Sequence, residues 1–192
     1  MKAIRPQNLL VLFSFIWLLP AYGVSEEVKL TLRCARNHYK VGDTIRFQII
    51  YTNVSPYPLW LLPQSESYPV DLFRISKVGD AHQPEKFRFG DQSVAWDARA
   101  RDVVKLQPQA ETVRHVSAAI RSMLPPDYGD SRRGIFLVLP GSAVLLLGSG
   151  KYEIQAAFHS SPDHPVSQYL PRGAQLWRGD VVSKPITIDI SE

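Results

Sequence analysis

Tyr39-Lys-Val-Gly-Asp-Thr-Ile-Arg-Phe-Gln-Ile-Ile-Tyr-Thr-Asn53 carries the strongest structural signal in this sequence. Ile45, Phe47, Ile49 and Tyr51 alternate with Arg46, Gln48 and Thr52. A period of two places the apolar set on one face of an extended chain and the polar set on the other. The β-branched and aromatic content fits the same reading. Val41-Gly42-Asp43 supplies turn chemistry ahead of the strand. Asn53-Val-Ser-Pro-Tyr-Pro58 ends it, because proline has no N–H to give to a ladder.

The same pattern recurs on either side. Val28, Leu30, Leu32 and Cys34 alternate with Lys29, Thr31 and Arg33. Leu59 to Leu62 reads as a short strand stopped by Pro63, and Val70 to Ser76 as another before the Gly79-Asp80 turn. Phe87 to Phe89 and Val103 to Leu106 are apolar enough for strands, with a polar loop over residues 90–102. Residues 111–124 fit two periods: Val113, Val116, Ile120, Met123 and Leu124 lie on a helical face, while Thr112, His115 and Ser117 fit a strand. The expectation is a strand over 111–118 running into an irregular or helical turn. A polar loop over 125–134, a short strand at Ile135 to Leu139, and a strictly alternating run at Tyr152, Ile154, Ala156 and Phe158 follow. After a proline- and histidine-bearing loop from Ser160 to Gly173, Ile186, Ile188 and Ile190 form the last strand. Short strands, about seven to nine of them, divided by proline and glycine turns predict an all-β fold. The class is an immunoglobulin-like antiparallel β-sandwich with long inserted loops, a single domain over 24–192.

Residues 1–23 read differently. Lys2 and Arg5 precede the apolar run Leu9 to Leu19, followed by Pro20 and Ala21-Tyr22-Gly23. A charged start, a short apolar stretch and small residues at a cleavage site predict a secretory signal peptide. The apolar run is about half of the roughly 20 residues that span a bilayer. A lipid anchor would need a cysteine just after cleavage, and Cys34 is too far along. Removal of residues 1–23 takes Lys2 and Arg5 with it and leaves 20 basic against 18 acidic residues. So small an excess gives no reason to expect a nucleic-acid partner or an anionic membrane surface. The expected location is periplasmic or secreted, with no membrane span after residue 23. A single cysteine, at an apolar strand position, is expected to be buried and inert rather than disulfide-bonded or reactive.

Four stretches together resemble bacterial envelope immunoglobulin-like domains and are similar to macroglobulin-type domains and to proteinase inhibitors of the BsuPI kind. Tyr39 to Asn53 resembles the first hairpin of such domains. Leu106-Gln-Pro108 followed by Glu111-Thr-Val113 looks like their L-x-P-G-E-x-V stretch, with Gln109-Ala110 in place of the glycine. Gly150-Lys-Tyr-Glu-Ile-Gln-Ala156 resembles the penultimate strand. Trp177 to Ser183, leading into Pro185 to Ile190, resembles the closing one. The resemblance implies the fold, and loops that contact a partner. It carries over no functional residue, because such sandwiches host unrelated roles. Tyr152 is expected to place its hydroxyl on a nearby backbone carbonyl, as in a tyrosine corner.

No motif for catalysis stands out. There is no G-x-S-x-G, and Cys34 has no nucleophile context. Among His38, His82, His115, His159 and His164, the densest group is His159-Ser-Ser-Pro-Asp-His164, so His159 and His164 are weak metal candidates. Metal ligands usually come in tighter sets, and no cofactor is expected. Arg178-Gly-Asp180 spells an adhesion tripeptide, and Asn53-Val-Ser55 a glycosylation acceptor. Aromatic side chains beside loops are the stronger lead, because such residues dominate binding hot spots. Trp60, Trp96, Tyr128, Tyr169 and Trp177 are the candidate binding residues, with Tyr57 and Tyr68 in similar settings. Trp60 and Trp177 also suit the core or rim of a sandwich. The function expected is a non-enzymatic binding or protein-interaction domain whose partner is an envelope or secreted protein. The alternatives are a structural or accessory envelope protein with no discrete site, and a metal-binding or hydrolytic envelope protein.

Overall fold

The computed structural model describes residues 27–63, 72–79, 88–89, 103–124, 133–139, 143–160 and 170–192. The expected signal over 1–23 and the loop expected at 90–102 lie outside these residues, as does most of the loop expected at 125–134, whose last two residues, Arg133 and Gly134, instead begin a strand. The protein is all-β, without an α-helix among the described residues. In chain order the strands are β1 (Val28–Cys34), β2 (His38–Lys40), β3 (Thr44–Asn53), β4 (Leu59–Leu61), β5 (Phe73–Lys77), β6 (Arg88–Phe89), β7 (Val104–Leu106), β8 (Glu111–Met123), β9 (Arg133–Leu139), β10 (Ala143–Leu147), β11 (Gly150–Ser160), β12 (Gly179–Val182) and β13 (Ile186–Ser191).

A six-stranded sheet runs β1-β3-β8-β9-β10-β6, and a second sheet holds β12, β11, β13, β2 and β5. A two-stranded ribbon pairs β4 with β7. Among the described residues every pairing of these strands is antiparallel except β13 with β2, which is parallel.

Strands are more numerous than the seven to nine expected, for a local reason. Strand β2 is too short to display a period. Strand β10 sits in the run Ala-Val-Leu-Leu-Leu, which is apolar without alternating. A second expectation is corrected in part: residues 111–123 form one strand with no helical turn after 118, although its pairing with β9 is irregular between Arg121 and Met123. Inward Val116, Ala118 and Ile120 keep the period of two. Partners on both sides hold the end extended, β3 up to Ala119 and β9 from Ala119 onward. The helical spacing of the apolar residues is overridden by two ladders.

The alternating residues of β1 and β3 behave as their pattern demands. Ile45, Phe47, Ile49 and Tyr51 are buried, and they join inward residues of both larger sheets in one apolar cluster. The contacts cross from sheet to sheet. Phe47 of β3 meets Phe73 of β5 at 4.8 Å between ring centroids, and Tyr51 meets the edge of Phe158 of β11 at 5.2 Å. Each such side chain contributes about 1.5–3 kcal/mol of burial. The Tyr152 hydroxyl donates to the Gly148 carbonyl and accepts the Gly148 N–H, both at 2.8 Å, closing the corner ahead of β11.

Strands β12 and β13 lie end to end along β11. Between their registers, three residues, Ser183–Pro185, face two, Gln155 and Ala156. One extra residue on one side is the arrangement of a β-bulge, and it absorbs the proline that cannot donate. Ser183, 3 % exposed, ties the irregularity down. Its N–H reaches Ala156 O at 2.8 Å, and its hydroxyl accepts the Ala156 N–H at 2.9 Å.

Candidate functional site: an aromatic and cationic groove

The end of β3 fixes the local architecture. Asn53 is fully buried, and its side chain is saturated with hydrogen bonds. Its amide donates to Tyr57 O at 2.8 Å and Leu106 O at 3.0 Å. Its oxygen accepts the Ser55 N–H at 2.9 Å and the Ser55 hydroxyl at 2.7 Å. One side chain thus joins β3, the 54–58 turn and β7. The glycosylation reading of Asn53-Val-Ser55 fails on this geometry, since both amide N–H groups are donated within the interior.

The turn held by Asn53 sets Tyr57 and Trp60 in place. Strand β4 then pairs with β7 so that Trp60 lies opposite Lys105. The Lys105 ammonium sits over the Trp60 ring, 5.5 Å from its centroid. Such a contact contributes about 0.5–1 kcal/mol at an exposed site. On its other side Trp60 bridges in parallel to Leu176, and its carbonyl accepts the Trp177 N–H at 2.8 Å. Two tryptophans far apart in sequence, Trp60 and Trp177, therefore meet.

Their meeting makes one wall of a solvent-open groove of about 570 Å³. Tyr57 and Glu27 stand at the lining too, and the Tyr57 hydroxyl donates to the Glu27 carboxylate. Tyr57 is 47 % exposed, whereas Trp177 is 9 % exposed. Lys105 and Arg178 bring positive charge.

Trp177 serves the core as well as the groove. Its ring stacks on Phe158 at 5.6 Å with 15° between planes, and Phe158 in turn meets Tyr51. Gly179 makes room for it: a Cβ there would lie 2.8 Å from the indole, and the backbone has φ +154°, which side chains rarely adopt. The glycine of Arg178-Gly-Asp180 thus has a packing reason. Asp180 is also engaged, paired with His159 Nδ1 at 2.5 Å across the β11–β12 ladder.

Of the five candidate binding residues, Trp60 and Trp177 come together here, and Trp96, Tyr128 and Tyr169 lie outside the described residues. Of the two metal candidates, His159 is exposed and paired with Asp180, and His164 lies outside the described residues. Among the described residues, no three His, Cys, Asp or Glu side chains cluster to hold a metal ion, and no helix is long and apolar enough to cross a membrane. Cys34 is partly buried; burial pushes its thiol above the ordinary range, and its Sγ–H donates to Arg36 O at 2.8 Å. A raised pKa leaves little reactive thiolate.

Lys105 and Glu27 were not legible as site residues. Lys105 shows in sequence only as the polar member of an apolar–polar–apolar triplet. Its place beside Trp60 depends on the β4–β7 register.

Farther in, Tyr51 is fully buried and its hydroxyl has no hydrogen-bond partner among the described residues. Burial pushes its pKa up to about 12, against the opposing pull of the Arg114 guanidinium.

No family model matches this chain, and no curated protein matches it. One solved structure with partial likeness is the β-glucosidase EmGH1 of Erythrobacter marinus, at TM-score 0.37 and 14 % identity. The match covers 85 % of this chain and 15 % of that one, so the chain spans a small part of that enzyme's length. At that TM-score the likeness assigns neither fold family nor activity.

Proposed function

We propose that this chain is a secreted or periplasmic immunoglobulin-like β-sandwich domain, without catalytic activity, that binds an envelope or secreted protein through the groove beside Trp60. Support for the sandwich comes from the apolar cluster shared by the two larger sheets and from the aromatic pairs that cross between them. The charge and hydropathy pattern of residues 1–23 supports export.

One observation carries the binding reading. Tyr57, Trp60, Lys105 and Arg178 come from three separate chain segments and converge on one open groove. Tyrosine and tryptophan rings beside an arginine are the composition of interface hot spots. Tyr57 is held in this position by Asn53 and Ser55, so its ring is presented rather than loosely displayed, and a preorganised surface loses less entropy on binding.

The test is photocrosslinking in cells that express the chain natively, with a photoreactive phenylalanine at position 57. A discrete crosslinked protein, lost when Trp60→Ala is added, is the expected result. Crosslinks no different from those of a probe placed at exposed Arg33 on β1 would sink the reading.

A further inference from the structure

We propose that the groove takes an extended acidic peptide segment of its partner, with carboxylates on Lys105 and Arg178 and the chain lying against the rings of Tyr57 and Trp60. The inference rests on the partner-binding reading above and names the chemistry of what is bound.

Charge is the first ground. Two cations, Lys105 and Arg178, line the groove against one acid, Glu27. The Glu27 carboxylate already accepts the Tyr57 hydroxyl, so part of its capacity is used within the protein. Neither Lys105 nor Arg178 forms an ion pair among the described residues. The next acid along the chain, Asp180, is held by His159. Arg172 adds a further exposed cation on the Pro171–Ala174 turn, one residue before the lining begins at Gly173. The groove therefore presents a net positive field with cations free to receive a carboxylate, and the arginine can do so through two parallel hydrogen bonds.

Shape and chemistry of the lining are the second ground. A small organic ligand is normally buried over most of its surface in an enclosed pocket. This groove is open to solvent, which suits a chain that lies along it. Its lining of Leu59, Leu176 and Trp60 offers apolar contact beside the charged positions, so a peptide with acids interrupted by smaller residues matches it better than a uniform polyanion.

The experiment uses fluorescence anisotropy with labelled Glu-Ser, Gln-Ser and Lys-Ser repeat peptides and a labelled polygalacturonate fragment. The protein is the wild type, the charge-reversed K105E/R178E, and Y57A/W60A. Both reversed side chains are exposed, and an unchanged thermal midpoint confirms that each variant folds. Glu-Ser is expected to bind best, with Gln-Ser, and Glu-Ser on K105E/R178E, each weaker by about tenfold, the scale of two partly screened ion pairs. Added salt should narrow the gap. Equal binding of Glu-Ser and Gln-Ser, or Glu-Ser binding retained by K105E/R178E, overturns the acidic class. Loss of that binding in Y57A/W60A would then still leave the groove as the site. Preference for polygalacturonate, or no binding by any probe, also overturns the proposal. The crosslink from position 57 judges the partner-binding reading separately.

Discussion

Replacing Asn53 with alanine tests the logic of the site most directly. The side chain is fully buried and makes four hydrogen bonds, two given and two received. Their loss does not count equally. Tyr57 O keeps a donor, because the Ser55 hydroxyl also reaches it at 2.7 Å. The Ser55 hydroxyl keeps that same partner. Leu106 O and the Ser55 N–H lose the contact that Asn53 provided. A buried polar group stripped of its partner costs about 1–3 kcal/mol, so two of them predict a loss of about 3 kcal/mol, with part recovered if water enters. Urea denaturation followed by tryptophan fluorescence measures it as a lower midpoint at unchanged slope. The same variant should loosen the 54–58 turn and weaken ligand binding at Tyr57. A loss below about 1 kcal/mol would refute the reasoning, since it is no more than one ordinary hydrogen bond contributes.

Two further predictions concern backbone strain and a buried phenol. Gln109 holds φ +62° in the Gln107–Ala110 turn, where its N–H reaches Asn53 O at 2.8 Å. A left-handed residue with a Cβ costs roughly 1–2 kcal/mol, and glycine returns part of this as chain entropy, so Gln109→Gly should stabilise by up to about 1 kcal/mol. A lower denaturation midpoint would count against it. Tyr51 has a folded pKa of about 12 against an ordinary 10.0. The folded state therefore keeps its proton more tightly, and the stability this contributes is present below pH 10 and lost as pH rises through 12. The loss is about 3 kcal/mol over that window. Tyr51→Phe should stabilise by about 1–3 kcal/mol at pH 7, because it removes a buried hydroxyl without a partner, and should flatten the alkaline loss. An unchanged alkaline profile would reject the assignment to Tyr51.

The strands that sequence reveals and those it conceals differ in a physical way. β1 and β11 each have one face in the core and one largely toward solvent, so burial imprints a period of two on them, and β3 keeps that period apart from Ile50, which is buried on its other face. β10 has buried residues from both faces, Val144 beside Leu145 and Leu147, and alternation disappears. β8 shows the reverse problem, since Val113 and Met123 are apolar yet exposed, and they lend a helical spacing to a chain that two neighbours hold extended. Gln109 is a different case, since its backbone adopts the left-handed conformation that glycine favours and the glutamine bears the strain.

The groove was half visible. Tyr57, Trp60 and Trp177 stood out as aromatic residues beside turn-forming segments, and each reaches the lining. Lys105 did not stand out, and nothing local could have raised it, because a lone lysine in a short strand is ordinary. Asn53 and Ser55 were legible only as a motif for modification, and burial turned them into the brace of the turn.

By itself, the sequence determined that the chain is all-β, where its one-face-buried strands run, and which aromatics lie near turns. These properties follow from local periodicity and from the chemistry of proline and glycine, which act on a few neighbouring residues. Tertiary structure alone decided the pairing of β4 with β7, the parallel bridge from Trp60 to Leu176, and so the meeting of Trp60, Lys105 and Trp177. Strand pairing at long range depends on which edges remain open after the core has closed, and no local pattern records that choice.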